Sequence, residues 1–172
     1  MRKLVYGGAM SLDGFIAGPN GEYDWIVPDP EMDFAAMMGR FDTFLIGRKT
    51  FDAMRRAERT APPAGIHYIV FSRTLRPGDC PKATLSEDAE RTVMDLKKKP
   101  GKDIALFGGG ELFRSLLALR LVDELRVSVT PVLLGGGIPF LPPPADRAKL
   151  RLIKHRLYRK SGTIELAYDI VA

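Results

Sequence analysis

With a single cysteine, Cys80, among its 172 residues, the chain has no internal disulfide, and a reducing cytoplasm is the compartment this favours. No apolar run approaches the roughly 18 residues that a membrane span requires. The opening MRKLVYGGAM has an apolar part too short and too glycine-rich for a secretion signal, and reads as a first strand. The two histidines, His67 and His155, both fall inside strand-like runs. No internal repeat or low-complexity linker divides the chain. Its length suits one domain, residues 1–172, with a sizeable core.

What is present is ordinary for a globular protein: 45% hydrophobic and 27% charged residues. The net charge of +5 suits an anionic partner, either nucleic acid or a phosphorylated small molecule. The basic residues form no long run. The densest cluster, Lys97-Lys98-Lys99, closes a segment with a Ser86 cap, an acidic first turn and a Pro100-Gly101 stop, so helix-dipole complementarity accounts for it. No nucleic-acid motif is recognisable, and neither a nucleic-acid nor a membrane partner is expected. A nucleic-acid-binding module remains the alternative from another class, and its mark would be a steep salt dependence.

Apolar, β-branched runs at Lys3–Ala9, Thr43–Ile46, His67–Phe71, Ile104–Phe107 and Glu124–Thr130 read as strands. Helical segments separate most of them. Met32, Ala35, Ala36 and Gly39 share a face of the first, and Phe51 and Met54 mark the second. Ala89, Val93 and Leu96 mark the third; Leu112, Phe113, Leu116 and Leu117 mark the fourth. Strand alternating with helix predicts a mainly parallel sheet covered on both faces. Leu150–Tyr158 and Thr163–Val171, joined by Arg159–Gly162, predict a closing antiparallel hairpin. The expected class is a three-layer α/β fold with a mixed, mainly parallel sheet. On the Glu124–Thr130 strand, Leu125, Val127 and Val129 should face one side, and Arg126 and Ser128 the other.

Ligands of such sheets bind beyond the carboxyl ends of the strands. Three turns there suit phosphate. Gly108-Gly109-Gly110 separates a strand from a helix beginning near Glu111, where bare N–H groups and positive potential meet an anion. Gly47-Arg48-Lys49-Thr50 adds two cations and a hydroxyl in a like position, with Thr50 as a helix N-cap in the plainer reading. Ser72-Arg73 adds another hydroxyl and guanidinium. Together they point to one extended phosphorylated ligand.

The segments GGAMSLDGFIAG, FLIGRKTFDAM, IVFSR, LFGGGELFRSLL and LVDELRVSVTPVLLGGGIPF, in this order, resemble the dihydrofolate-reductase-like superfamily. The resemblance is nearest to the reductase domain of the riboflavin-biosynthesis deaminase-reductase and its stand-alone relatives. It implies NADPH and hydride transfer to a pyrimidine- or pterin-like ring, as in 5-amino-6-(5-phosphoribosylamino)uracil reduction. By the resemblance, Ala9 and Ile16 meet the nicotinamide carboxamide. Gly47, Arg48, Lys49 and Thr50 hold the 2′-phosphate and pyrophosphate, and Ser72 and Arg73 the adenosine 2′-phosphate. Gly108, Gly109, Gly110, Glu111 and Leu112 form the pyrophosphate and nicotinamide turn. Asp33 is the expected catalytic carboxylate, with Glu31 as the alternative. Asp13 lies in the loop over the nicotinamide, and Trp25 helps to wall the substrate pocket. A homodimer is implied as well. Dihydrofolate reductase itself, and a nucleotide-binding protein without catalysis, are the other readings. The zinc-deaminase signature, H-x-E followed by P-C-x-x-C, is absent, so the expectation is a reductase alone.

Overall fold

The computed structural model describes residues 1–171. Ten strands are β1 (Leu4–Ser11), β2 (Phe15–Ala17), β3 (Phe41–Gly47), β4 (His67–Phe71), β5 (Thr84–Ser86), β6 (Asp103–Gly108), β7 (Glu124–Thr130), β8 (Ile138–Pro139), β9 (Lys149–Leu157) and β10 (Ile164–Val171). Four α-helices accompany them: α1 (Phe34–Gly39), α2 (Arg48–Arg56), α3 (Ala89–Lys98) and α4 (Gly110–Ala118). Eight strands form one sheet in the order β5-β4-β3-β6-β1-β7-β10-β9. The first six lie parallel, and β10 is antiparallel to both β7 and β9. A separate antiparallel pair joins β2 to β8. The fold is the expected mainly parallel α/β sheet with a closing hairpin.

Alternation along each strand builds two cores. Leu4, Tyr6, Leu45, Ile69, Ile104, Leu106 and Leu125 point to one face, where they meet Val93 of α3 and Phe113 and Leu116 of α4. Val5, Phe44, Ile46, Tyr68, Val70 and Ala105 point to the other, where they meet Phe51 of α2. The register explains the layers: Leu106 pairs with Leu45 on one side and Tyr6 on the other, and Tyr6 pairs with Leu125. Each fully buried side chain of this kind contributes about 1.5–3 kcal/mol. The Tyr6 ring stacks on Phe113 with centroids 3.9 Å apart.

Some boundaries move. The short strands β2, β5 and β8 lack the alternating run that marks a strand, because two or three residues carry no period. Asp88, and not Ser86, caps α3: its carboxylate accepts from the Arg91 N–H at 2.9 Å, while Ser86 ends β5. Gly47 caps α2, which puts Thr50 inside the first turn. Met32 precedes α1 and does not share its face. Cys80 follows a short 3-10 turn at Pro77–Asp79 and is buried in the second core, which pushes its thiol pKa up.

Candidate active site

The carboxyl ends of β4, β3, β6 and β1 lie side by side, and three expected phosphate turns follow three of them. Helices α2 and α4 both start from glycine, at Gly47 and Gly109, without any side-chain cap. Their first-turn N–H groups are therefore open to an anion, in the positive field of each helix end. The two turns touch: a Cβ on Gly47 would lie 3.2 Å from the Gly109 nitrogen. Lys49 Nζ reaches Glu111 Oε1 at 2.8 Å across this junction, and lowers the Glu111 carboxyl pKa. Arg48 leans the other way, pairing with Asp52 at 2.7 Å and donating to the Thr74 hydroxyl in the turn after β4. In that turn Ser72 is buried and its Oγ accepts from the N–H groups of Thr74 and Leu75. Arg73 is exposed and makes no ion pair among the described residues. Gly47, Arg48, Lys49, Thr50, Ser72, Arg73, Gly108, Gly109, Gly110, Glu111 and Leu112 thus sit on adjoining turns at one edge of the sheet.

A cavity of ≈ 290 Å³ opens beside this edge, between α1 and the second face of the sheet. Its floor holds Phe44 and Phe107, whose ring centroids are 5.6 Å apart. Val27, Phe34, Met37 and Met38 supply the opposite wall. Ala9 and Phe107 line the cavity at the strand ends, next to the glycine turns. One side is polar. The β7 positions Arg126, Ser128 and Thr130 lie there, with Thr163 just before β10 and Glu165 on β10. Their register accounts for it: Arg126 pairs with Gly7 and Ser128 with Ala9 on β1, and Glu165 pairs with Ser128 on β10.

The ionic groups below the cavity form one network. Arg40 donates to Asp103 at 2.7 Å and to both oxygens of Glu124 at 2.7 and 2.8 Å. Arg126 Nε adds a bond to Glu124 at 2.6 Å. Burial pushes the Glu124 carboxyl up, but the hydrogen bonds and charges of Arg40 and Arg126 outweigh it and hold the pKa down at about 2.

Several of the expected substrate and cofactor contacts lie outside the cavity lining. The Asp33 carboxylate caps α1, accepting from the Ala36 N–H at 2.9 Å, and does not line the cavity. Asp33 stands one residue before the helix, where a short acceptor satisfies an otherwise open N–H. Glu31 points to Arg156, 3.9 Å away. The Trp25 indole N–H donates to the Glu22 carbonyl at 3.1 Å, and its neighbours Ile26 and Val27 line the cavity in its place. Asp13 is drawn to the turn after β7, accepting from Leu134 N–H and Gly135 N–H. Ile16 lies in β2 and pairs with no cavity residue. Glu165 is the carboxylate that lines the cavity. It shares its strand face with buried Ala167, two residues on, and the pairing of β10 with β7 sets it across from Ser128.

The RibD C-terminal domain model matches residues 2–161. The chain belongs to the RibD C-terminal domain family. The uncharacterized protein YyaP of Bacillus subtilis (strain 168) is 36% identical over 178 residues, covering 97% of this chain and 94% of that protein. Among solved structures, a putative riboflavin biosynthesis protein from Shewanella sp. PV-4 superposes with a TM-score of 0.83 at 28% identity, covering 99% of each chain. Dihydrofolate reductase from Enterococcus faecalis, in a complex with NADP(H), superposes with a TM-score of 0.71 at 17% identity, covering 99% of this chain and 97% of that one. This RibD C-terminal domain therefore has the dihydrofolate-reductase-like fold.

Proposed function

We propose that this chain is an NADPH-dependent reductase that delivers a hydride to a carbon or imine carbon of a pyrimidine- or pterin-like ring. One observation carries the reading: two uncapped, glycine-started helices flanked by Arg48, Lys49 and Arg73 adjoin an apolar cavity across the strand ends at Ala9 and Phe107. The residues fit a dinucleotide phosphate. The turns offer open N–H groups, and the cations stand at the turn after β3 and the turn after β4.

In this reading Gly47 to Thr50 and Gly108 to Leu112 hold the pyrophosphate, and Arg48, Ser72 and Arg73 the 2′-phosphate. Ala9 holds the nicotinamide end at the mouth of the cavity. The bound dihydronicotinamide supplies the hydride, and the protein supplies position and a water-poor pocket. Phe44 and Phe107 give a flat ring a surface to lie on. Met37 and Phe34 exclude water from above. Glu165 accepts a hydrogen bond from the ring and holds its orientation.

Titration with NADPH and with NADH, followed by tryptophan quenching or calorimetry, tests this. NADPH binds more tightly in this reading, and the preference shrinks by about tenfold or more in Arg48→Ala and Arg73→Ala, each of which removes a charge-assisted contact. No binding of either nucleotide overturns it. A substrate screen then begins with pyrimidine ribosylamines and dihydrofolate.

A further inference from the structure

The opposite pole of the sheet holds a feature that the reductase reading does not use. A broad basin of ≈ 770 Å³ opens at the amino ends of β3, β6 and β1, which are neighbours in the sheet. The length of these strands, about 20 Å, separates it from the glycine turns. Six cations line it: Arg2 before β1, Arg40 before β3, Lys97 and Lys98 at the end of α3, and Lys99 and Lys102 in the loop to β6. Among the described residues its lining has one carboxylate, Asp103, which Arg40 holds at 2.7 Å.

Half of these cations are already engaged. Arg40 also binds Glu124, and Lys97 pairs with Asp123 at 2.7 Å. Arg2, whose side chain is 6% exposed, donates to Asp42 and to the Thr43 hydroxyl. The other half have no ion-pair partner among the described residues. Lys98 and Lys99 are exposed, and Lys102 Nζ has only the neutral Gly39 carbonyl, at 2.8 Å. The carboxyl end of α3 offsets about half a charge. Three ammoniums exceed that.

The loop that gathers them is built on a buried pair. Asp42 accepts from the Arg2 guanidinium on Oδ1 and from the Lys102 N–H on Oδ2 at 2.8 Å, and Arg2 Nε donates to the Lys102 carbonyl. Gly101 closes the loop over this pair at φ of +150°, where a Cβ would lie 2.8 Å from Asp42 Oδ2 and 3.1 Å from Arg2 Cζ. The loop is therefore ordered before any ligand arrives, which lowers the cost of binding. The gathered charges repel one another, and a bound anion removes that repulsion.

We propose that this basin binds an oligophosphate chain, whether as the inorganic ion or as the phosphate tail of a nucleotide. Ammonium groups bind phosphate as point charges. No aromatic side chain stands in the lining among the described residues, so the phosphates and not a base are recognised. The volume falls in the range of about 300–1,000 Å³ common to small-ligand sites. The binding needs no nicotinamide and is independent of the reductase reading.

Amide NMR spectra of the isotope-labelled full chain test it, in a titration with sodium triphosphate at physiological ionic strength, where weak surface attraction is screened. The amides from Lys98 to Asp103 shift, at about tenfold lower concentration than with inorganic monophosphate. Lys98→Ala, Lys99→Ala and Lys102→Ala combined weaken triphosphate binding there about tenfold or more. These side chains are exposed, so the melting temperature of the variant stays close to that of the native chain. Arg48→Ala with Arg73→Ala leaves the shifts at this loop unchanged. ATP matches inorganic triphosphate. Shifts confined to the glycine turns overturn the proposal, as does unchanged binding by the triple lysine variant or equal binding of monophosphate. ATP binding without triphosphate binding assigns recognition to the base and overturns it too. A DNA duplex that shifts these amides at lower concentration than triphosphate makes the surface a nucleic-acid interface, and the proposal fails.

Discussion

The Thr50 hydroxyl of α2 stands 3.0 Å from where a Cβ on Gly108 would lie. Gly108 ends β6 with φ of +152°, so both space and backbone exclude a side chain there. The first turn of α2 therefore packs closely against the end of β6.

Gly108→Ala must move Thr50 and strain the backbone by about 1–3 kcal/mol. The expected result is a lower melting temperature and a loss of NADPH affinity larger than that of Thr50→Ala. Calorimetry on the two variants measures both quantities. A folded Gly108→Ala protein with unchanged NADPH affinity would remove the turn from the proposed cofactor site.

Acid should destabilise the protein through Glu124. Its carboxyl is held at about 2 in the fold against an ordinary 4.5. A depressed folded pKa stabilises the native state above the ordinary value, and that contribution is lost as pH falls from about 4.5 towards 2. The contribution at neutral pH is about 3 kcal/mol, and removing Arg40 takes away two of the hydrogen bonds to the buried carboxylate and leaves it to Arg126 and Lys3. Denaturant unfolding at a series of pH values should show this decline, and Glu124→Gln should flatten it. An equally steep decline in Glu124→Gln would assign the acid sensitivity to other carboxylates.

The second glycine triplet serves structure. A Cβ on Gly137 would lie 2.1 Å from the Ala17 carbonyl, at φ of +142°, which is where β2 and β8 meet. Asp13 clasps the start of the same loop, and the Ser11 hydroxyl, then Gly135 N–H and Leu134 N–H, lower its carboxyl pKa. The clasp is formed above the ordinary carboxyl range and is released only as pH falls below it. Asp13→Ala should speed amide exchange at Leu134 and Gly135 at neutral pH, with little change in the core strands. Unchanged exchange at those two amides would show that the turn holds without the carboxylate.

Leu150 and Leu152 pair with Ile170 and Tyr168, and Leu157 pairs with Ile164. Leu150, Leu152, Leu157 and Ile164 are all more than 40% exposed and share the sheet face of Tyr168. An uncovered apolar sheet face of this kind fits a second, two-fold-related copy of itself. We propose that two copies pair across it. Sedimentation should show a dimer, and Leu152→Lys should yield a folded monomer. A native chain that sediments as a monomer at high micromolar concentration refutes this pairing.

The parallel strands, the closing hairpin and the three phosphate-suited turns were legible along the chain. Each is a local property: a period of two, a glycine between strand and helix, a cation beside it. The polar side of β7 was legible too, because alternation alone places Arg126 and Ser128 together. Asp33 shows the limit of such reading. A carboxylate just before a helix serves capping or catalysis equally well; its bond to the Ala36 N–H is local, and the placement of α1 over the sheet is what leaves Asp33 out of the cavity lining. Glu165 and Thr163 lie more than thirty residues beyond Arg126, and the antiparallel pairing of β10 with β7 is what brings them to the cavity. The sequence by itself therefore determined which segments are strands and which turns can face an anion. Tertiary structure decided which side chains share a cavity and which charges are already neutralised, because long-range strand order and ion pairing are not encoded by any local period.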